Sequence, residues 1–165
     1  MPARGFEGSA WRHVAVGRPA LAGEGARLVG GRWNPPGSFA VFYLGTSRET
    51  VVAEFHRLAR RQRVAPEQFL PRTLYRYALT LNAVVDLTDP EALEHLELSE
   101  EDLARDNLSV PQAIGAAAFA SGREGILAPS ATGRDRVVAV FVERLAFNSF
   151  VRGRGHGVGT KRARR

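Results

Sequence analysis

The chain contains no cysteine, and its single methionine is Met1. Neither a disulfide staple nor a thiolate metal site is therefore available to it. Lysine is nearly absent too: Lys161 stands alone, and arginine carries the remaining positive charge. That bias points to no function. No apolar run approaches the ~18 residues a membrane-spanning helix requires. The opening Met1-Pro-Ala-Arg-Gly-Phe-Glu lacks the apolar core of a leader peptide. Together these absences lead us to expect a cytoplasmic protein with no membrane partner. The four histidines, His13, His56, His95 and His156, share no metal-ligand spacing, so no metal site is expected. There is no internal repeat, and no Gly-x-Ser-x-Gly elbow that would mark a hydrolase nucleophile.

What remains is an ordinary globular composition of 165 residues, 44% apolar and 24% charged, which suits one domain with a real core. The formal charge of +6 is unevenly placed. Six of the 23 basic residues lie in Arg152 to Arg165, a stretch without acids, and the other 17 balance 17 acids. The body, residues 1–150, is formally neutral. The Gly/Arg-rich tail, 151–165, is expected to be disordered. Its basic residues suit nucleic-acid phosphates, although no aromatic comes after Phe150 to stack a base.

Apolar patterning gives a mixed set of elements. Trp11–Val16 reads as a strand and Leu21–Ala26 as a small-residue loop. Residues 27–38 are too rich in glycine and proline for regular structure. Phe39–Leu44 is a continuous apolar run of strand length, ended by Gly45. Thr46 and Glu49 have capping-box spacing and open a helix reaching about Arg61. Alternation over Thr73–Leu81 predicts a strand, and Val84–Leu87 a further short one. Asp89-Pro90 starts a short helix, Ser99 and Asp102 cap another, and a third runs from Gln112 to Ser121 before Gly122. Gly125–Ala128 and Arg136–Val142 read as buried strands. Without regular βαβ alternation the class is α+β.

Chemistry concentrates in Gly30-Gly31-Arg32-Trp33-Asn34-Pro35-Pro36-Gly37 and in the strand and helix next along the chain. Glycine permits close backbone approach. Arginine offers a planar donor fork that matches phosphate or carboxylate. In the bland alternative, Arg32 packs on Trp33. Tyr43 lies in the apolar run, either as core or as a ligand platform. Glu54 falls on or beside the stripe of Val51, Phe55, Leu58 and Ala59, where a carboxylate is costly unless paired or used. Its partner on the bland reading is Arg57 or Arg32. Ser130 comes after Pro129 at a strand end, as a plain turn residue or as a hydroxyl presented to a ligand.

The ordered set Gly-Gly-Arg32-Trp-Asn-Pro, Val-Phe-Tyr43-Leu-Gly, Val-Val-Ala-Glu54 and Gly125-Ile-Leu-Ala-Pro-Ser130, with an opening Trp11-Arg12, resembles the RES domain family over roughly residues 11–148. The resemblance implies a single mixed domain similar to ADP-ribosyltransferase toxins. It implies an NAD-degrading toxin that cleaves the nicotinamide–ribose bond by hydrolysis or phosphorolysis, neutralised by an Xre-type helix-turn-helix antitoxin. In that frame Arg32, Glu54 and Ser130 are the catalytic candidates. Arg32, Tyr43, Ser130, Trp33 and Asn34 are the substrate-binding ones. Arg32 is expected on phosphate, Tyr43 on the nicotinamide side, Glu54 on the ribose, and Ser130 on ribose or phosphate. No cofactor is implied: NAD is the substrate, and inorganic phosphate a candidate co-substrate. Two alternatives stay open, a mono-ADP-ribosyltransferase acting on a protein and a nucleic-acid-binding module driven by the tail. The assembly stays open between a homo-oligomer and a toxin–antitoxin hetero-oligomer.

Overall fold

The strands Val41–Gly45, Gly125–Pro129 and Arg136–Phe141 carry apolar residues on both faces because both faces of the sheet are covered there. In the computed structural model, which describes residues 1–21, 23–133 and 135–158, six strands form one sheet in the order β1-β2-β5-β4-β3-β6, with β1 also pairing β3. These strands are β1 (Arg4–Ala15), β2 (Val41–Gly45), β3 (Arg72–Asp86), β4 (Gly125–Pro129), β5 (Arg136–Phe141) and β6 (Phe150–Val158). The pairings close a circuit from β1 through β2, β5, β4 and β3 back to β1. Among the described strands, only β3 and β4 pair in parallel. Along β5, Val138 and Val140 join the cluster of Phe42, Leu44, Tyr77, Leu79 and Leu127 on one face. Ala139 and Phe141 join the other cluster, with Val41, Ile126, Trp33 and Ile114.

Among the described residues, five α-helices accompany the sheet: α1 (Glu24–Val29), α2 (Arg48–Gln62), α3 (Pro90–His95), α4 (Glu100–Ala104) and α5 (Ser109–Ala120). None of the described helices is long and apolar enough to cross a membrane. The mixed α+β class is as expected, and the departures from the sequence reading have local causes. Glu24–Val29 is helical rather than loop, closed by Gly30 at φ 74°. The cap of α2 is Ser47, whose Oγ accepts from Thr50 N at 3.1 Å. Thr46 instead bonds Arg136 through both N and O and ties β2 to β5. β1 begins seven residues before Trp11, at Arg4, because β3 pairs with it over nearly its whole length.

The two strands expected at Thr73–Leu81 and Val84–Leu87 are one, β3. On one edge it meets β6 up to Thr80 and β4 from Val84. The buried Glu124 fills the gap between them. Its Oε2 accepts from Asn82 N at 2.6 Å, its own N–H donates to Ala83 O at 2.8 Å, and Oε1 accepts from Ala146 N and Ser149 Oγ. One carboxylate thus replaces a rung of strand pairing. A second correction concerns the tail. Residues 150–158 are not disordered but form β6, antiparallel to β3 from Thr80↔Phe150 to Arg72↔Val158. Residues 159–165 of the expected tail lie outside the described residues.

Candidate active site

The glycine pair before Arg32 is required by packing. A Cβ on Gly30 would stand 2.8 Å from Pro36, and one on Gly31 would stand 2.5 Å from the Tyr43 hydroxyl. The loop therefore folds onto Tyr43. The phenol accepts from Trp33 N at 2.9 Å and donates to Asn34 Oδ1 at 2.8 Å. Asn34 Nδ2 donates to Ala26 O at 2.7 Å and to Phe39 O at 3.2 Å. Burial pushes the Tyr43 pKa up, so the hydroxyl stays neutral and its proton is committed to Asn34. From behind, Gly115 of α5 lets the helix lie against the Trp33 carbonyl, where a Cβ would come to 1.8 Å.

So placed, Arg32 enters a cleft of about 410 Å³ between the loop, the α2 helix and β1. Its Nη1 donates to the carbonyls of Leu103 at 2.6 Å and Arg105 at 3.0 Å. Its Nη2 is buried without a hydrogen-bond partner among the described residues. Burial first, then Arg57 and Arg61, lower its pKa, and Glu54 opposes them. A buried guanidinium with an open donor is a seat for an anionic oxygen.

Glu54 lines the same cleft from α2. Neither partner of the bland reading holds it. Arg57 Nη2 pairs with Asp106 at 2.9 Å, and Arg32 bonds the two carbonyls. Instead Ser130 Oγ donates to Glu54 Oε1 at 2.7 Å. Ser130 is itself 4% exposed, at the head of the turn after β4, and its Oγ also accepts from Thr132 N at 3.2 Å. The structure thus brings Arg32, Tyr43, Glu54 and Trp33 onto one cleft wall set, with Ser130 bonded to Glu54. Asn34 is separate. It is fully buried, does not line the cleft, and reaches it only through its hydrogen bond from the Tyr43 hydroxyl. Trp33 is 1% exposed and is mainly core.

The sequence reading missed the opposite wall. Trp11, Arg12, His13 and Arg72 line it, and Arg57 and Arg61 complete the cleft from α2. Among the described residues, five arginines and one carboxylate, Glu54, thus line this cleft in a body that is formally neutral. Arg12 lies over the Phe42 ring at 4.5 Å. Arg72 Nε donates to His13 Nδ1 at 2.6 Å, which requires a neutral imidazole. Burial first, then Arg72 and Arg12, lower the His13 pKa to about 4. The Trp11 indole N–H is also buried with no partner among the described residues. The available signal was strand register: Trp11 and His13 alternate on β1, opposite a β3 that pairs with it throughout.

The model of the RES domain family matches residues 9–154, and the chain belongs to that family. Among its curated relatives is the NAD(+) phosphorylase MbcT of Mycobacterium tuberculosis H37Rv, 38% identical over 136 residues, covering 81% of this chain and 73% of the relative. The MbcT of Mycobacterium bovis matches to the same extent. The probable NAD(+) phosphorylase Rv3189 of M. tuberculosis is 32% identical over 145 residues, 87% of this chain and 69% of the relative. A chain in the crystal structure of the M. tuberculosis MbcT–MbcA toxin–antitoxin complex superposes with a TM-score of 0.79 at 32% identity, over 95% of this chain and 87% of that one.

Proposed function

We propose that this chain is an NAD-degrading toxin that cleaves the nicotinamide–ribose bond, transfers the ADP-ribosyl group to inorganic phosphate, and is silenced by an antitoxin of the Xre helix-turn-helix type. The observation that carries the reading is the cleft itself: Glu54 oriented by Ser130, with Arg32 Nη2 open and four further arginines around them. Relatives named NAD(+) phosphorylase, and the likeness to a toxin–antitoxin complex, support it.

The chemistry is governed by charge. NAD brings an anionic pyrophosphate, which suits guanidinium donors. Its nicotinamide is attached as a pyridinium, so the C–N bond breaks with its electron pair going to the ring nitrogen, and nicotinamide leaves neutral. The ribose carbon passes through an oxocarbenium-like state, and a carboxylate beside it stabilises the developing positive charge. That is the role assigned to Glu54. Ser130 fixes one carboxylate oxygen and leaves the other free for the ribose. Tyr43 gives a flat, neutral ring wall for the nicotinamide. A phosphate oxygen forms the new C–O bond, giving ADP-ribose 1″-phosphate. No cofactor takes part.

Purified protein incubated with NAD and phosphate should release nicotinamide and the 1″-phosphate in equal amounts. Labelled NAD that ends on protein would instead support mono-ADP-ribosylation.

A further inference from the structure

Besides Arg32 on the glycine loop, two further groups of arginines line the cleft, and they are built differently. On the strand wall, Arg72 is held by His13 and Arg12 lies over Phe42. On α2, Arg57 and Arg61 stand one helical turn apart and succeed Glu54 along one face, at about 4.5 and 10 Å of helical rise. Arg57 is partly buried and, among the described residues, pairs with Asp106 alone, an exposed acid at the loop after α4. Arg61 is exposed and has no hydrogen-bond or ion-pair partner among the described residues.

A nucleophile must lie near the carbon whose charge Glu54 stabilises. A pyrophosphate arrives covalently joined to that ribose and benefits from donors fixed in advance. An inorganic phosphate enters and leaves by itself, and needs cations close to Glu54 and open to solvent. The strand wall matches the first requirement and α2 the second.

We propose that Arg57 and Arg61 are the seat of the inorganic phosphate co-substrate, shared with the open Nη2 of Arg32, and that Asp106 is the anion phosphate displaces from Arg57. The assignment rests on the phosphorylase reading and names the residues that choose phosphate over water as acceptor. The reaction needs no other reactant: a phosphate oxygen forms the bond to the ribose carbon, and the carbon–nitrogen bond electrons leave with nicotinamide.

The test pairs kinetics with direct binding. Nicotinamide release is measured against phosphate at fixed NAD, and against NAD at fixed phosphate, for wild type, Arg61→Gln, Arg57→Lys, Asp106→Asn and Arg72→Gln. Binding of inorganic phosphate without NAD is measured by ³¹P line broadening. Arg61→Gln should raise the KM for phosphate at least tenfold, well beyond any change in the KM for NAD, and shift product from ADP-ribose 1″-phosphate toward ADP-ribose. Asp106→Asn should lower the KM for phosphate. Arg72→Gln should act mainly on NAD. The proposal is overturned if Arg61→Gln and Arg57→Lys raise both KM values equally or neither, or if ³¹P broadening is the same in wild type and Arg61→Gln. Broadening that depends on Arg61 while wild type releases no nicotinamide would sustain the phosphate seat and overturn the phosphorylase reading instead.

Discussion

Among the described residues, the Ser130 hydroxyl is the one hydrogen-bond partner that orients Glu54. Ser130→Ala removes the 2.7 Å bond to Oε1. A hydrogen bond to a charged group contributes about 1.5–3 kcal/mol, so kcat/KM for NAD should fall roughly 10- to 100-fold. Glu54→Gln removes the charge itself and should cost more than 100-fold while leaving the melting temperature near wild type. Gly31→Ala tests the loop: its methyl would stand 2.5 Å from the Tyr43 hydroxyl, so the ring must leave Asn34, and both stability and NAD turnover should drop. His13 gives a pH signature. Its folded pKa, about 4, lies below the ordinary 6.5, so between those values the unfolded chain binds a proton that the folded chain refuses. Stability therefore falls as pH drops through that window, by on the order of 3 kcal/mol in total. Unfolding of His13→Gln should show a shallower slope between pH 6.5 and 4. Residue identity was the most legible level. Arg32, Tyr43, Glu54 and Ser130 announce themselves by chemistry and order. Asn34 did not show its role, because an amide that serves a phenol looks the same in sequence as one that serves a ligand.

At the level of elements, Glu124 is the residue on which the long β3 strand depends. Burial alone would raise its pKa, but hydrogen bonds from Ser149, Ala146, Asn82 and Ala83 win and hold it below its ordinary value. Glu124→Ala strands the Asn82 and Ala146 N–H groups and should lower stability by about 3 kcal/mol, read as a shift of the denaturant midpoint. Helix α5 offers the complementary case. Gly115→Ala pushes a methyl into the Trp33 carbonyl, so the helix or the Arg32 loop must move, and the KM for NAD should rise with the loss of stability. Strands β2, β4 and β5 were readable because both their faces are apolar. The join in β3 was not, since Asn82-Ala83 looks like a break until Glu124, 42 residues away, satisfies the backbone there. β6 was hidden for a related reason: alternating glycine and arginine carries no apolar pattern, and the strand exists through its backbone pairing to β3.

For the whole molecule, net charge was a poor guide to the site. The sequence has +6 overall with a balanced body, yet the fold gathers Arg12, Arg32, Arg57, Arg61 and Arg72 around Glu54. Those arginines are spread over β1, the glycine loop, α2 and β3, so only tertiary structure unites them. Such a cleft draws anions of the size of a dinucleotide and holds them less well as salt screens its charges. The fate of NAD decides whether this cleft is an active site. The deciding measurement is product analysis of NAD turnover in phosphate and in phosphate-free buffer, for wild type and Glu54→Gln. We predict nicotinamide and ADP-ribose 1″-phosphate from wild type in phosphate, and little product from Glu54→Gln. NAD left intact by folded wild type in both buffers, or equal turnover by Glu54→Gln, would contradict it.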